Sequence, residues 1–239
     1  MAQSHPHSRE GRSPVEPSIH AGLGHPLTKS LLPAEDPKGA VLDLVNKILS
    51  LGVDGVGPLK GAAQLADEHM AQYRDPDVAI NKLIATHTRM VAATGFATGL
   101  GGLITLPVTV PTDVAVFYAL SARCAAAVAY LRGHDIDSDE VRSVVLLTLL
   151  GSAGAVVVLE LGVKVGEKTA MAALKKLPGK VLIEINKKVG FRLLTKFGQK
   201  GAINLVKFVP LVGGVVGAGV NTAAMRTIGK YAKKNFPKI

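Results

Sequence analysis

From Lys38 onward, apolar positions in this chain recur mostly at helical spacing. Val41, Leu44, Val45, Ile48 and Leu49 fall at i, i+3 and i+4 intervals, which describe one face of an α-helix. Gly52, Gly55, Gly57 and Pro58 interrupt the pattern, and a second amphipathic piece covers residues 59–73. Asp75-Pro76-Asp77 sets proline at the first helical position with acids around it, so a third helix should start there. Its apolar face is Ile80, Leu83, Ile84 and His87, leading into Val91.

Residues 90–112 then run for 23 positions without a charge. That length suits a membrane span. Gly95, Gly99, Gly101, Gly102, Pro107 and Pro111 argue against a straight lipid-facing helix, so two shorter pieces with a bend near 101–107 are expected. The next helix should open at Asp113 and run to about Leu131. It is apolar nearly all round except at Arg123, and Gly133 is placed to end it. Asp137 and Glu140 have capping-box spacing, which predicts another helix from about Ser138, and residues 143–159 are again uncharged.

Residues 162–207 are studded with lysine and divided by Pro178-Gly179. After that break, Leu182, Ile185, Val189 and Leu193 share a face, with Lys180, Lys187 and Lys188 roughly opposite. Gly190 is expected to weaken the continuation, and Arg192 and Lys196 drift toward the apolar side. Residues 208–225 form a third uncharged run, broken by Pro210, Gly213, Gly214, Gly217 and Gly219 and carrying the polar Asn221. No strand alternation stands out. The pattern predicts an all-α protein: a compact multi-helix bundle over residues 38–239 whose hydrophobic helices are broken by glycine and proline. Residues 1–37 hold six of the 13 prolines and four of the seven histidines and show no apolar period, so they read as a disordered leader. They lack the apolar core of a secretory signal.

Composition sharpens this. Hydrophobic residues make up 48% of 239 and aromatics only 4%, with no tryptophan, so the apolar share is mostly small residues suited to close helix packing. One cysteine excludes an intramolecular disulfide framework and a cysteine-rich zinc module. The net charge of +10 is uneven. Residues 164–239 carry sixteen basic and two acidic side chains, whereas residues 1–37 and 38–163 are slightly negative. A basic third of this kind points to an anionic surface.

Catalytic and metal motifs fail on spacing. Asp135, Asp137 and Asp139 resemble the start of a calcium loop, but Glu140 and Leu146 stand where the loop needs glycine and glutamate. Gly162 to Thr169 approximates a phosphate loop, but Glu167 occupies the position before the lysine. Gly99, Gly101 and Gly102 lack the third glycine and the preceding strand of a dinucleotide site. Instead, Gly95/Gly99 and Gly213/Gly217 make one-turn pairs that let another helix approach. Cys124 reads as a buried thiol, and His69, His87 and His134 sit at no catalytic or metal spacing. His5, His7, His20 and His25 are irregularly spaced and read as part of a polar tail. No catalytic, cofactor-binding or metal-binding residue is expected. Asp113 and Arg123 are charges within a long apolar stretch, about 80° apart around a helix. The simplest arrangement has Asp113 at its helix start and Arg123 paired with an acid elsewhere. Asn221 reads as an inter-helix hydrogen-bonding residue.

Two separated blocks resemble the EcsC family. Residues 95–151 carry its glycine-rich segment, its proline turn and its polar positions at Gly95, Gly99, Gly101, Gly102, Pro107, Asp113, Arg123, Gly133 and Asp135. Residues 209–236 are similar to its closing proline-glycine segment. The family is named for a protein encoded beside an ABC transporter in Gram-positive bacteria. It also resembles a hydrophobic helical domain attached to some bacterial GTPases, and it supplies no catalytic residue to carry over. The resulting expectation is a non-enzymatic protein at the cytoplasmic face of the cell membrane, an accessory to a transporter or another membrane complex. Its partners would be an anionic membrane surface and a membrane protein, not nucleic acid. Lys175, Lys176, Lys187 and Lys188 are the candidate lipid contacts. The other reading is a soluble bundle whose apolar helices are simply its core and whose basic surface meets a protein.

Overall fold

The computed structural model describes residues 37–55, 60–100, 112–163, 169–198 and 210–239. Chain contacts group residues 33–239 as one unit, and every described residue belongs to it. The leader, Gly101, Gly102 and the bend expected near 101–107 lie outside the described residues.

The described residues are all helical or connecting, with no strand among them. The helices are α1 (Pro37–Leu49), α2 (Ala62–Tyr73), α3 (Pro76–Leu100), α4 (Thr112–Leu131), α5 (Asp139–Leu149), α6 (Ala153–Glu160), α7 (Ala170–Leu174), α8 (Gly179–Gly198) and α9 (Pro210–Asn235). A π-type turn, Ser50–Asp54, continues α1.

Local chemistry explains several boundaries. The Asp75 carboxylate accepts from Val78 N at 2.9 Å ahead of α3, occupying one of the orphan amides of the first turn. The Ser138 hydroxyl does the same for Val141 N at 3.4 Å at the start of α5. Gly133 (φ 87°) closes α4 in the left-handed region: His134 N reaches back to Ala129 O at 3.0 Å and Gly133 N to Tyr130 O at 2.9 Å. The uncharged stretch 143–159 is divided at Gly151 (φ 60°) into α5 and α6.

The centre of the bundle is α4. It packs against α1, the π-type turn, α2, α3, α5 and α9, and every residue from Ser121 to Ala129 is buried. Its run of alanines keeps the central rod thin, so neighbouring backbones come close. A Cβ added to Gly52 would stand 2.5 Å from Ala119 O. On α8, Leu182, Ile185, Val189 and Leu193 are all buried, each worth about 1.5–3 kcal/mol of transfer free energy. Gly190 does not weaken α8. The helix runs through it, and the missing side chain admits Val41 and Val45 of α1, whose methyls would be 2.7 Å from a Cβ there.

Helices α3 and α9 form a long antiparallel pair. Asn221 donates to Val91 O at 3.2 Å, Gly229 lies against Ile84, and Lys233 donates to Asn81 at 2.8 Å. This register, carried along the two helices, sets Gly95 level with Gly217 and Gly99 level with Gly213. The two glycine pairs therefore belong to one helix pair, a relation that neither block of sequence carries alone. Helix α3 also continues through Gly95 and Gly99 to Leu100.

Candidate functional site

Among the described residues, exposed cations stand at the α7–α8 turn and on the α3–α9 pair. At the α7–α8 turn, Lys175, Lys176 and Lys180 are exposed. Along α8 the lysines are less available. Lys187 pairs with Glu184 at 2.7 Å, and Lys188 pairs with Glu160 of α6 at 3.5 Å, a carboxylate that also holds Arg192. The four candidate lysines are therefore in two settings: Lys175 and Lys176 project into solvent, while Lys187 and Lys188 each sit beside an acid. The Lys175 charge also falls close enough to His134 to help depress that imidazole's pKa, after the larger effect of burial. This places Lys175 near the C-terminal end of α4.

The second place is the outer face of the α3–α9 pair, which the charge pattern alone does not single out. Arg226, Lys230 and Lys234 recur at i, i+4 and i+8 and are all exposed, with Lys233 beside them. Lys82 and Arg89 are exposed on α3. Lys82 lies over the Tyr73 ring at 5.8 Å, and Arg89 donates to Thr86 at 3.4 Å. Among the described residues none of these six cations is in an ion pair. The helical period of the cations in residues 226–234 is the signal in the sequence that could have found this stripe.

Inside the bundle, Arg123 is only 6% exposed. Its Nε donates to His87 Nε2 at 3.3 Å, one terminal nitrogen donates to Lys60 O at 3.3 Å, and the other lies 3.8 Å from Met90 Sδ. No described carboxylate pairs with it, contrary to the expectation of an acid elsewhere. The Asp113 side chain lies outside the described residues; its backbone position is about 15 Å along α4 from that of Arg123, ten residues of regular helix. Burial lowers the Arg123 pKa. His87 Nδ1 lies 3.0 Å from Leu83 O, so this nitrogen carries the proton and Nε2 is free to accept from Arg123. Burial first, and then the Arg123 charge, pull the His87 pKa down to about 4. Folded His87 therefore stays neutral while an unfolded chain would protonate near 6.5. Stability is lost as pH falls between those two values. Nitrogen-15 NMR should find a neutral Nδ1–H imidazole down to about pH 4; titration near 6.5 would overturn the assignment.

The surface also carries a groove of about 470 Å³ between the start of α2, the π-type turn and the α4–α5 loop, lined by Asp54, Gln64, Tyr130, His134, Asp135 and Asp137. Its acids serve the fold. Arg142 holds Asp54 at 2.6 Å and Asp137 at 3.1 Å, and Asp135 accepts from Asp137 N at 3.0 Å. Beside it, His134 Nε2 meets Pro237 O at 2.7 Å and its ring lies edge-on to buried Phe236, clasping the end of α9. Among the described residues, no group of His, Cys, Asp or Glu is placed to hold a metal. Cys124 is fully buried, and burial pushes its thiol up to about 12.

A family model described as the EcsC protein family matches residues 38–238. The chain belongs to the EcsC protein family. No curated protein and no solved structure matches the chain. In this EcsC protein the residues that carried the resemblance serve the fold where they are described. Arg123 ties α4 to α3 and to the segment before α2, Gly133 closes α4, and Asp135 caps the loop that follows. No described helix is long and apolar enough to cross a membrane.

Proposed function

We propose that this EcsC protein is a non-enzymatic, peripheral membrane-associated protein that binds the anionic cytoplasmic leaflet through the cations of its last third. The observation that carries the reading is the outer face of the α3–α9 pair, where Arg226, Lys230, Lys233 and Lys234 of the last third, joined by Lys82 and Arg89 of α3, are exposed without an acidic partner among the described residues. Cations near an anionic leaflet contribute about 1 kcal/mol each. The α9 stripe is favoured over the four lysines of α7 and α8 because Lys187 and Lys188 already face carboxylates. Membership of the EcsC family makes an accessory role beside an ABC transporter or another membrane complex the natural setting.

The test is flotation of the full chain with vesicles. The chain should float with vesicles containing about 30 mol% phosphatidylglycerol, through the attraction of its cations to the anionic headgroups, and should be released by salt. Replacing Arg226, Lys230 and Lys234 together with glutamine should weaken binding at least about tenfold. The Lys175, Lys176, Lys187 and Lys188 glutamine quadruple should lose less. A chain that ignores anionic vesicles at low salt would sink the reading.

One observation favours the other reading, a soluble interaction module. Helix α4, apolar nearly all round, is buried by protein on every side from Ser121 to Ala129 and so needs no lipid. Complete recovery in the soluble fraction without detergent would support this reading.

A further inference from the structure

The uncharged parts of α3 and α9, more than 100 residues apart in sequence, come level at one end of the bundle, beside the first half of α4. The contacts of Asn221 with Val91 and of Lys233 with Asn81 set the α3–α9 register. The contacts of Arg123 with His87 and Met90 set that of α4 against α3. On this common scale every cation of the outer face lies on one side of residue 90. Arg89 and Arg226 are nearest to it, followed by Lys230 and Lys82, then Lys233 and Lys234. On the other side, α3 from Met90 to its end and α9 from its start to Met225 carry no charge. Helix α4 before Arg123 carries one, Asp113, in its first turn, where the helix dipole favours a carboxylate. Lys207 lies three residues before α9, outside the described residues.

At the boundary, apolar side chains point into solvent: Val220 is 61% exposed, Val116 40% and Met90 37%. From Met90, α3 continues for eleven residues, about 15 Å. From its start to Val220, α9 covers the same length. The hydrocarbon core of a bilayer is about 30 Å thick, so the described helix segments of this end have the depth of one leaflet.

We infer that the end formed by α3 from Met90, α9 up to Met225 and α4 before Arg123, with Asp113 as the one charge on these helix segments, enters one leaflet of an anionic bilayer, with Arg89, Arg226 and Lys230 at the headgroups as a cationic collar. The inference rests on the membrane reading above and adds the end that enters and how far. An anionic bilayer is the occupant that fits both parts of the surface: its headgroups match the collar in charge, and its hydrocarbon matches the uncharged segments of α3 and α9 in polarity and depth. The opposite end, with His134 and Lys175, would face the aqueous side.

The test uses the full chain with an environment-sensitive fluorophore on Val220→Cys or, separately, on Lys234→Cys. Buried Cys124 is left in place, and the unsubstituted chain serves as the labelling control. Both positions are exposed, so the fold tolerates the label, which circular dichroism checks. With vesicles containing about 30 mol% phosphatidylglycerol and lipids brominated along the acyl chain, the label at 220 should shift to the blue and be quenched several-fold more than the label at 234. If the chain floats with vesicles but the label at 220 remains in water, or is quenched no more than that at 234, the inference fails and the membrane reading stands. If the chain does not float, both fail. A blue-shifted label at 220 before vesicles are added, together with a dimeric mass, would assign this end to a second copy and overturn the inference.

Discussion

Arg123→Ala should lower the unfolding free energy by about 2–4 kcal/mol, read from the shift of the urea midpoint. Two opposing effects set this value. Removing a buried guanidinium relieves its desolvation, which here no described carboxylate offsets. It also strips the hydrogen bond from His87 Nε2 and from Lys60 O and leaves a cavity among α2, α3 and α4. The buried His87 acceptor left unmade costs about 1–3 kcal/mol, and the lost bond to Lys60 O and the cavity add to this, so loss outweighs relief. His87→Leu should be damaging for the complementary reason, because the Arg123 Nε–H would be buried without an acceptor. Combining Arg123→Met with His87→Leu removes donor and acceptor together and should cost clearly less than the sum of the two changes. An unchanged urea midpoint for Arg123→Ala would mean that this hub does not hold the three segments together.

Gly52→Ala is the second expected large loss, about 2–3 kcal/mol. The new methyl would stand 2.5 Å from Ala119 O and 3.0 Å from Ala122 Cβ, both on the central helix, so no flexible side chain can swing aside. Gly219→Ala is the matched control. It sits within α9, and a Cβ added there would meet nothing within 4 Å, so alanine should gain about 0.5–1 kcal/mol of helix propensity. The two variants should move thermal unfolding in opposite directions. A tolerated Gly52→Ala would show that the π-type turn can lift off α4.

Much of the architecture was legible because it rests on local rules. The face Leu182, Ile185, Val189 and Leu193 is buried as its spacing required, and Ser138, through its side-chain hydroxyl, and Gly133, through backbone bonds, bound their helices with hydrogen bonds that span three to five residues. Asn221 bridges to a second helix at Val91, a bond whose partner is 130 positions away. The misreadings share a cause. Gly190 has a poor intrinsic propensity, but packing against Val41 and Val45 outweighs the roughly 1 kcal/mol that propensity costs. The partner of Arg123 is a neutral imidazole on another helix, and nothing in the spacing within α4 could announce it.

The candidate surface divides in the same way. Periodicity and charge counts along the chain establish the helices, the basic last third and three runs without charge, since each depends only on neighbours in sequence. Which lysines are neutralised depends on acids brought from elsewhere: Glu160 of α6 reaches Lys188 and Arg192 of α8. That the uncharged parts of α3 and α9 lie at one end, beyond the exposed cations of the same two helices, follows from the antiparallel register of helices more than 100 residues apart. Packing sets that register through close approach at small residues, and packing is a property of faces that meet only once the chain has folded.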